Sequence, residues 1–145
     1  MRARSRPGVA PTDGRAGRQL AALVSNGHRL AFHSNRDGNY NIYTVNGNGT
    51  DLRRVTSDRV LDQWPDWSPN GKQIAFLSLR DGYPSVFLMS AEGETAENPA
   101  INLTPKDATD AASAWLSRAP SWSKNGRQIY FMSYRPSTGG TSSYS

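Results

Sequence analysis

A repeated sequence unit restricts the fold of this chain more than any other feature. The unit WPDWSPNGKQIAFLSLRDG occupies residues 64–82 and has partial copies on both sides. Its glycine at position 71 has equivalents at Gly27, 44 residues earlier, and at Gly126, 55 residues later, and the phenylalanine and arginine positions recur at the same two spacings. A period in the forties with strand-like apolar runs and glycine turns is typical of β-propeller blades, four-stranded sheets that cannot bury their faces alone. The repeat therefore predicts an all-β chain built from such blades.

Turn signals divide the chain into two blades and about half of a third. We assign residues 19–57 to blade one, 63–104 to blade two and 119–135 to the first half of blade three. The pairs Asn26-Gly27 and Asn70-Gly71 are two-residue hairpin signals between the first and second strands of their blades. The predicted class is a partial β-propeller of about two and a half four-stranded antiparallel blades.

Apolar stretches between the turns give the individual strands. The predicted strands are 20–24, 30–34, 41–45 and 52–56 in blade one, 66–68, 73–78, 85–90 and 101–104 in blade two, and 120–123 and 128–134 in blade three. Trp67 and Trp122 belong to first strands, and we expect them to wedge between neighbouring blades. Phe32, Phe76 and Phe131 are predicted core residues of the second strands.

The basic charge belongs to one end of the chain. Seventeen Lys and Arg against twelve Asp and Glu give a net charge of +5, but residues 1–18 hold five arginines and one aspartate and so carry +4 of it. We interpret residues 1–18 as a disordered basic leader, because they have no periodic apolar pattern and too few apolar residues to bury, and residues 136–145 as a disordered, low-complexity polar tail. The remaining charge is nearly balanced, so no nucleic-acid partner is predicted. No apolar run approaches the length of a membrane span, so no membrane insertion is predicted either.

The sequence offers little for catalysis. The chain has no cysteine and two histidines, His28 in a turn and His33 in a strand, and it lacks the G-x-S-x-G and H-E-x-x-H patterns. We expect His33 to be a polar residue of a blade face. Neighbouring carboxylates such as Asp62 and Asp66 have no predicted pocket in which to act as an acid–base pair. The prediction is a non-enzymatic chain without cofactor, catalytic residues or metal site.

Blade topology indicates where a partner would bind. The loop that enters the first strand and the loop between the second and third strands lie at the same face of a propeller. Trp, Tyr and Arg, the residue types that dominate interface energetics, are concentrated there. The predicted partner-binding residues are Asp62, Trp64, Arg80, Asp81 and Tyr83 of blade two and Arg36 and Tyr40 of blade one. Such a mixture suits a protein or peptide partner, and the alternative is that several of these side chains pack between blades.

The repeated Arg-Asp-Gly turns have a structural interpretation as well. Gly38 and Gly82 permit positive φ, and Asp37 and Asp81 are expected to accept hydrogen bonds from amides of their own loops, as in an Asx turn.

Residues 64–82 and their copies resemble the WD-like propeller repeat of the TolB family. In that family, blades read roughly P-x-W-S-P-D-G-x-x-I-A-F-x-S-x-R-D-G, followed by an I-Y-x-M strand and a strand that ends in L-T. The resemblance covers about residues 20–135 and is fullest in blade two, at Pro65, Trp67, Ser68, Pro69, Gly71, Ile74, Ala75, Phe76, Ser78, Arg80, Asp81, Gly82, Met89, Leu103 and Thr104. The resemblance implies a bacterial propeller without catalysis that acts as a protein–protein interaction scaffold. It implies a periplasmic location if it extends to a longer parent, although no signal peptide is recognised here.

An alternative comes from another functional class. The same repeat resembles the propellers of prolyl-oligopeptidase-type serine peptidases and of some carbohydrate-active enzymes, whose catalytic residues would lie outside this chain.

An arc of two and a half blades is expected to expose an apolar face at each end. It would therefore self-associate through these open faces, or it is a fragment of a longer protein.

Overall fold

A computed structural model describes residues 21–23, 28–57, 59–105 and 116–134 of the 145. The predicted leader and tail lie outside the described residues. Within these ranges all regular structure is β-strand, and no helix there has the length and apolar character needed to cross a membrane.

The strands form three antiparallel sheets. Blade one contains β1 (Ala21–Leu23), β2 (Arg29–Ser34), β3 (Asn41–Asn46) and β4 (Arg53–Arg54); blade two contains β5 (Asp62–Trp67), β6 (Gln73–Ser78), β7 (Ser85–Ser90) and β8 (Ile101–Asn102); blade three contains β9 (Leu116–Trp122) and β10 (Ile129–Tyr134). The first two sheets have the meander order β1-β2-β3-β4 and β5-β6-β7-β8, and the third pairs β9 with β10. The predicted partial propeller is confirmed.

Two kinds of strand boundary differ from the predictions. The first strand of blade two begins at Asp62 rather than Asp66, because a register shift between Gln63 and Asp66 carries the pairing past Pro65. Proline cannot donate to the sheet ladder and is tolerated at such a β-bulge.

The fourth strands are shorter than predicted, with two residues each. In blade one Thr56 follows β4, and its Oγ1 accepts a hydrogen bond from the Ile42 N–H at 3.0 Å. In blade two Thr104 Oγ1 accepts in the same way from the Val86 N–H at 2.9 Å. In both blades, the threonine two residues after the fourth strand therefore supplies a side-chain oxygen where a strand would supply a backbone carbonyl.

The main core lies between blades one and two. Its buried members come from both sheets: Ala31, Ile42, Val55, Trp67, Ile74, Phe76, Phe87, Met89 and Ala91. The Trp67 side chain is 4% exposed, and the Arg29 guanidinium lies 5.5 Å from its ring centroid. Trp67 thus wedges between two blades, as predicted.

Blade three packs on the other side of blade two. The N–H of Trp122 donates a hydrogen bond to Asp66 Oδ2 at 2.7 Å across this boundary. The side of blade three that faces away from blade two is open: Tyr130 is 59% exposed and Met132 67% exposed. Their equivalents 55 residues earlier, Ala75 and Leu77, are 0% and 4% exposed.

Two predictions about the ends of the arc are wrong. Phe131 is 41% exposed and is not a core residue, although its equivalents Phe32 and Phe76 are buried. Among the described residues, an open apolar face is found at blade three but not at blade one, where Phe32, Tyr43 and Val45 form a second buried cluster. Part of this burial comes from the side chain of Arg36, described below.

Candidate protein-interaction site

Three of the predicted binding residues, Tyr40, Asp62 and Trp64, lie where the β2–β3 turn of blade one reaches the segment that enters blade two. Asn39 Nδ2 donates to the carbonyl of Val60 at 2.7 Å, and the Asp62 N–H donates to the carbonyl of Tyr40 at 2.9 Å. These two hydrogen bonds hold the turn against the start of β5. Tyr40 and Trp64, which are 24 positions apart in sequence, consequently lie at the same blade boundary.

Trp64 has an unusual backbone within the β5 bulge. Its φ is +50°, in the left-handed region that residues with a Cβ seldom adopt, and Pro65 follows. Its N–H donates to His33 Nδ1 of blade one at 3.3 Å. The His33 ring in turn meets the Tyr40 ring edge-on, with 5.5 Å between centroids. His33 is 3% exposed, and burial lowers the pKa of its imidazole below the ordinary value of 6.5.

Blade three repeats this backbone without the indole. Ala119, which is 55 positions after Trp64 and also precedes a proline, has a φ of +39°. The left-handed residue before proline is therefore part of the repeat geometry. A large aromatic side chain is not, because alanine occupies the position in blade three.

The repeated arginines cover pairs of aromatic rings. The Arg36 Cζ lies 5.2 Å from the Phe32 centroid and 4.8 Å from that of Tyr43. The Arg80 Cζ lies 5.2 Å and 4.8 Å from the equivalent rings of Phe76 and Phe87. Both arginines thus pack on rings of their own blades, whereas the alternative considered from the sequence was packing between blades.

Arg80 also belongs to a buried charge cluster. Its Nη2 lies 2.9 Å from Glu94 Oε1 and 3.4 Å from Asp62 Oδ1. The Asp62 side chain is 0% exposed, and those of Glu94 and Arg80 are 10% and 17% exposed. Asp62 is therefore buried at the start of β5 and not exposed on an open loop, and its carboxylate contacts Arg80.

The aspartates of the Arg-Asp-Gly turns have cross-strand partners. Tyr43 Oη donates to Asp37 Oδ2 and Asn102 Nδ2 donates to Asp81 Oδ2, each at 2.6 Å. The Asx-turn prediction is wrong for both.

Serines supply the turn contacts instead. The Arg36 N–H donates to Ser34 Oγ at 3.4 Å and the Arg80 N–H donates to Ser78 Oγ at 3.2 Å. Because a serine two residues before the arginine already accepts the turn amide, the following aspartate is available to the neighbouring strand.

Tyr43 provides a test of the blade-one turn. Burial and then the hydrogen bond to Asp37 raise the pKa of the Tyr43 phenol to about 12. Because the unfolded chain releases this proton near 10.0, the group stabilises the fold below that pH and the contribution is lost between pH 10.0 and about 12. We expect Tyr43→Phe to flatten the fall in unfolding free energy with pH over this window, as measured by urea denaturation. An unchanged slope in the variant would contradict the assignment.

The remaining predicted residues are less deeply placed. Tyr83 is half-buried in the β6–β7 turn, which is equivalent to the turn that carries Tyr40, while Arg36 and Asp81 are exposed. Two residues that contact the predicted ones were not among them: His33 accepts from the Trp64 N–H, and Glu94 accepts from Arg80. Among the described residues, no three His, Asp or Glu side chains are grouped so that they could hold a metal ion.

Comparison with known proteins places these features in a family. The TolB beta propeller domain family matches residues 16–118. A TolB homolog from Chlorobium luteolum is 45% identical over 53 residues, which are 37% of this chain and 12% of that protein. The Tol-Pal system protein TolB from Syntrophus aciditrophicus is 38% identical over 69 residues, 45% of this chain and 15% of the relative.

Solved structures agree on the fold. A TolB structure from Agrobacterium tumefaciens superposes with a TM-score of 0.69 at 21% identity, over 83% of this chain and 40% of that one. TolB from Acinetobacter baumannii gives 0.65 at 21% identity, over 83% and 27%. The chain thus spans well under half of the length of these relatives.

Proposed function

Because this chain belongs to the TolB β-propeller domain family, we propose that it is a non-catalytic module that binds a protein partner. The binding surface consists of Tyr40, Trp64 and Tyr83 and is called the Trp64 surface below. Arg36 and Asp81 form its exposed polar margin, and Asp62 and Arg80 support it from the buried side.

The indole of Trp64 is the observation that carries this proposal. Its backbone is held in a left-handed conformation, which costs on the order of 1–3 kcal/mol and is found preferentially at functional sites. Ala119 adopts the same kind of conformation in blade three, so the backbone alone does not require tryptophan. A half-buried indole at the blade boundary that also carries the half-buried Tyr40, with Tyr83 half-buried in the equivalent turn of blade two, supports a contact surface of the kind that anchors protein partners.

The relatives suggest the class of partner. One of the matched proteins is named a Tol-Pal system protein. We therefore take the Pal protein of such a system as the partner to test, and the bacterial periplasm as the compartment. The chain spans a small part of these relatives, so a partner that needs additional blades would bind this chain weakly.

The test measures binding of purified Pal from Syntrophus aciditrophicus to the full 145-residue chain by isothermal titration calorimetry. We expect Trp64→Ala and Tyr40→Ala each to weaken binding at least tenfold, since the loss of an aromatic anchor typically removes about 2 kcal/mol or more. Far-UV circular dichroism checks that each variant keeps the β-sheet signal.

A matched control removes an aromatic side chain elsewhere. Tyr130 is 59% exposed on the outer face of blade three, and Tyr130→Ala should leave Pal affinity unchanged. Absence of measurable binding, or equal losses in the Trp64 and Tyr130 variants, would overturn the proposal.

A further inference from the structure

One hydrogen bond joins the Trp64 surface to the neighbouring blade through a titratable group. The Trp64 N–H lies in blade two. Its acceptor, His33 Nδ1, belongs to the next-to-last residue of β2 in blade one. Accepting this bond requires Nδ1 to carry no proton, so the ring must be neutral with its proton on Nε2. The Trp64 amide therefore keeps this acceptor only while a buried histidine is neutral.

The surroundings of His33 contain few charged groups. Strands β1, β3 and β5 pack against β2. No titratable residue occurs in β1, and the titratable residue of β3, Tyr43, pairs with Phe32 on the opposite face of the sheet. From β5, Asp62 faces the same blade boundary with its carboxylate engaged by Arg80, whereas Asp66 contacts blade three.

The remaining titratable neighbours lie in blade one itself. Tyr40 meets the His33 ring edge-on, Arg29 extends over Trp67 at the other end of β2, and Arg36 and Asp37 contact residues of the opposite face. Across the boundary, the Asp62 carboxylate shares the Arg80 guanidinium with Glu94. Burial, and not a charged neighbour, is the cause of the lowered His33 pKa.

We infer that His33 is a proton-sensitive positioning residue for the Trp64 surface: the neutral imidazole holds the bulge in its binding conformation, and protonation at Nδ1 releases it. This inference rests on the proposed function for its consequence, but not for its chemistry. An imidazolium presents N–H groups at both nitrogens, so after protonation two donors would face each other where one bond existed. The Trp64 amide then faces a donor in place of its acceptor, and we expect the two groups to move apart, which displaces the Trp64 end of the bulge from blade one.

The direction of the pH dependence follows from burial. Because burial lowers the pKa of folded His33 below 6.5, the unfolded chain takes up this proton first as the pH falls. Stability supplied by the neutral ring is therefore fully present above pH 6.5 and is lost as the pH falls from there through the lower folded value. Weakening of the Trp64 surface is expected in that same acidic window.

The first experiment needs no partner. Two-dimensional ¹⁵N–¹H NMR of the full chain follows the Trp64 amide and the His33 ring nitrogens from pH 7.5 downward. We expect the Trp64 amide to shift and to exchange faster with solvent along the same titration curve as the His33 ring.

Three variants separate the effect of the His33–Trp64 hydrogen bond from general effects of acid on the protein. His33→Asn keeps an acceptor oxygen near the position of Nδ1 and should hold the Trp64 amide signal constant with pH, whereas His33→Phe should show the released signal at every pH. His28→Gln replaces the other histidine of the chain and should leave the wild-type titration in place. A Trp64 amide that does not follow the His33 ring, or that moves equally in His33→Asn, would overturn the inference.

The second experiment measures Pal affinity at pH 7.5 and pH 5.5. Apparent affinity falls in proportion to the fraction of chains in the binding conformation. We expect weaker binding by the wild type at the lower pH, by less than about tenfold because the folded pKa of His33 lies below 6.5, and little change for His33→Asn. If Pal binds at neither pH, the proposed partner is wrong, and the amide titration alone tests the His33–Trp64 hydrogen bond as a pH switch. If the Trp64 amide titrates but Pal affinity does not change with pH, this hydrogen bond does not regulate binding of Pal.

Discussion

Replacing Trp67 by alanine is expected to lower the free energy of unfolding by about 3–5 kcal/mol, the usual range for removal of a large buried aromatic side chain. Trp67 is 4% exposed and packs in a core built by both blades, so its loss leaves a cavity that neither sheet can fill without moving. Urea denaturation followed by circular dichroism measures the change. Two outcomes are informative: a lower midpoint with unchanged slope means lost packing, and a lower slope means that the two blades no longer unfold together.

The controls for Trp67 test where the energy comes from. Trp67→Phe retains part of the buried ring and should fall between wild type and the alanine variant. Tyr130→Ala removes an aromatic side chain from the open face of blade three and should change stability by no more than about 0.5 kcal/mol. Equal losses at Trp67 and Tyr130 would mean that the open face is covered in solution, as it would be if copies of the chain associated through it.

Replacing Arg80 by alanine is the second large effect that we expect, also about 3–5 kcal/mol. The guanidinium is the charge partner of two carboxylates that are 0% and 10% exposed, those of Asp62 and Glu94. Removing one partner of a buried ion pair leaves the others desolvated without compensation, which is worse than never having buried them.

Arg36 is the matched control, because the repeat places it in the same local contacts. Arg36 covers an equivalent pair of rings and donates to an equivalent serine. It differs from Arg80 because it is exposed and because, among the described residues, no buried carboxylate pairs with it. Arg36→Ala should therefore lose about 1 kcal/mol, the contribution of the ring contact. If both variants lost the same amount, the aromatic contact and not the buried charge cluster would account for the role of Arg80.

Local sequence signals predicted the parts of this protein that depend on short-range chemistry. The 44- and 55-residue spacings, the Asn-Gly turns and the alternating apolar residues identify the blades and most strands, because each reports a constraint that acts within one hairpin. They also predicted the wedge position of Trp67, since that residue recurs with the repeat.

Contacts between segments that are distant in the chain were accessible to the tertiary structure alone. Nothing in the sequence around Glu94 indicates that its loop brings a carboxylate to Arg80, 14 positions away. Likewise, a strand histidine and a tryptophan 31 positions apart carry no mutual signal, because the hydrogen bond between them depends on how two sheets are stacked.

The sequence by itself determined that this chain forms propeller blades and which aromatic residues recur in them. Only the tertiary structure decided which copies of a repeated position are buried: Leu77 is 4% exposed and Met132 67%, although the two lie at the same position of the repeat. The physical reason is that a blade acquires its environment from its neighbours. Blade two is packed on both sides and blade three on one, and no local pattern of residues records that difference.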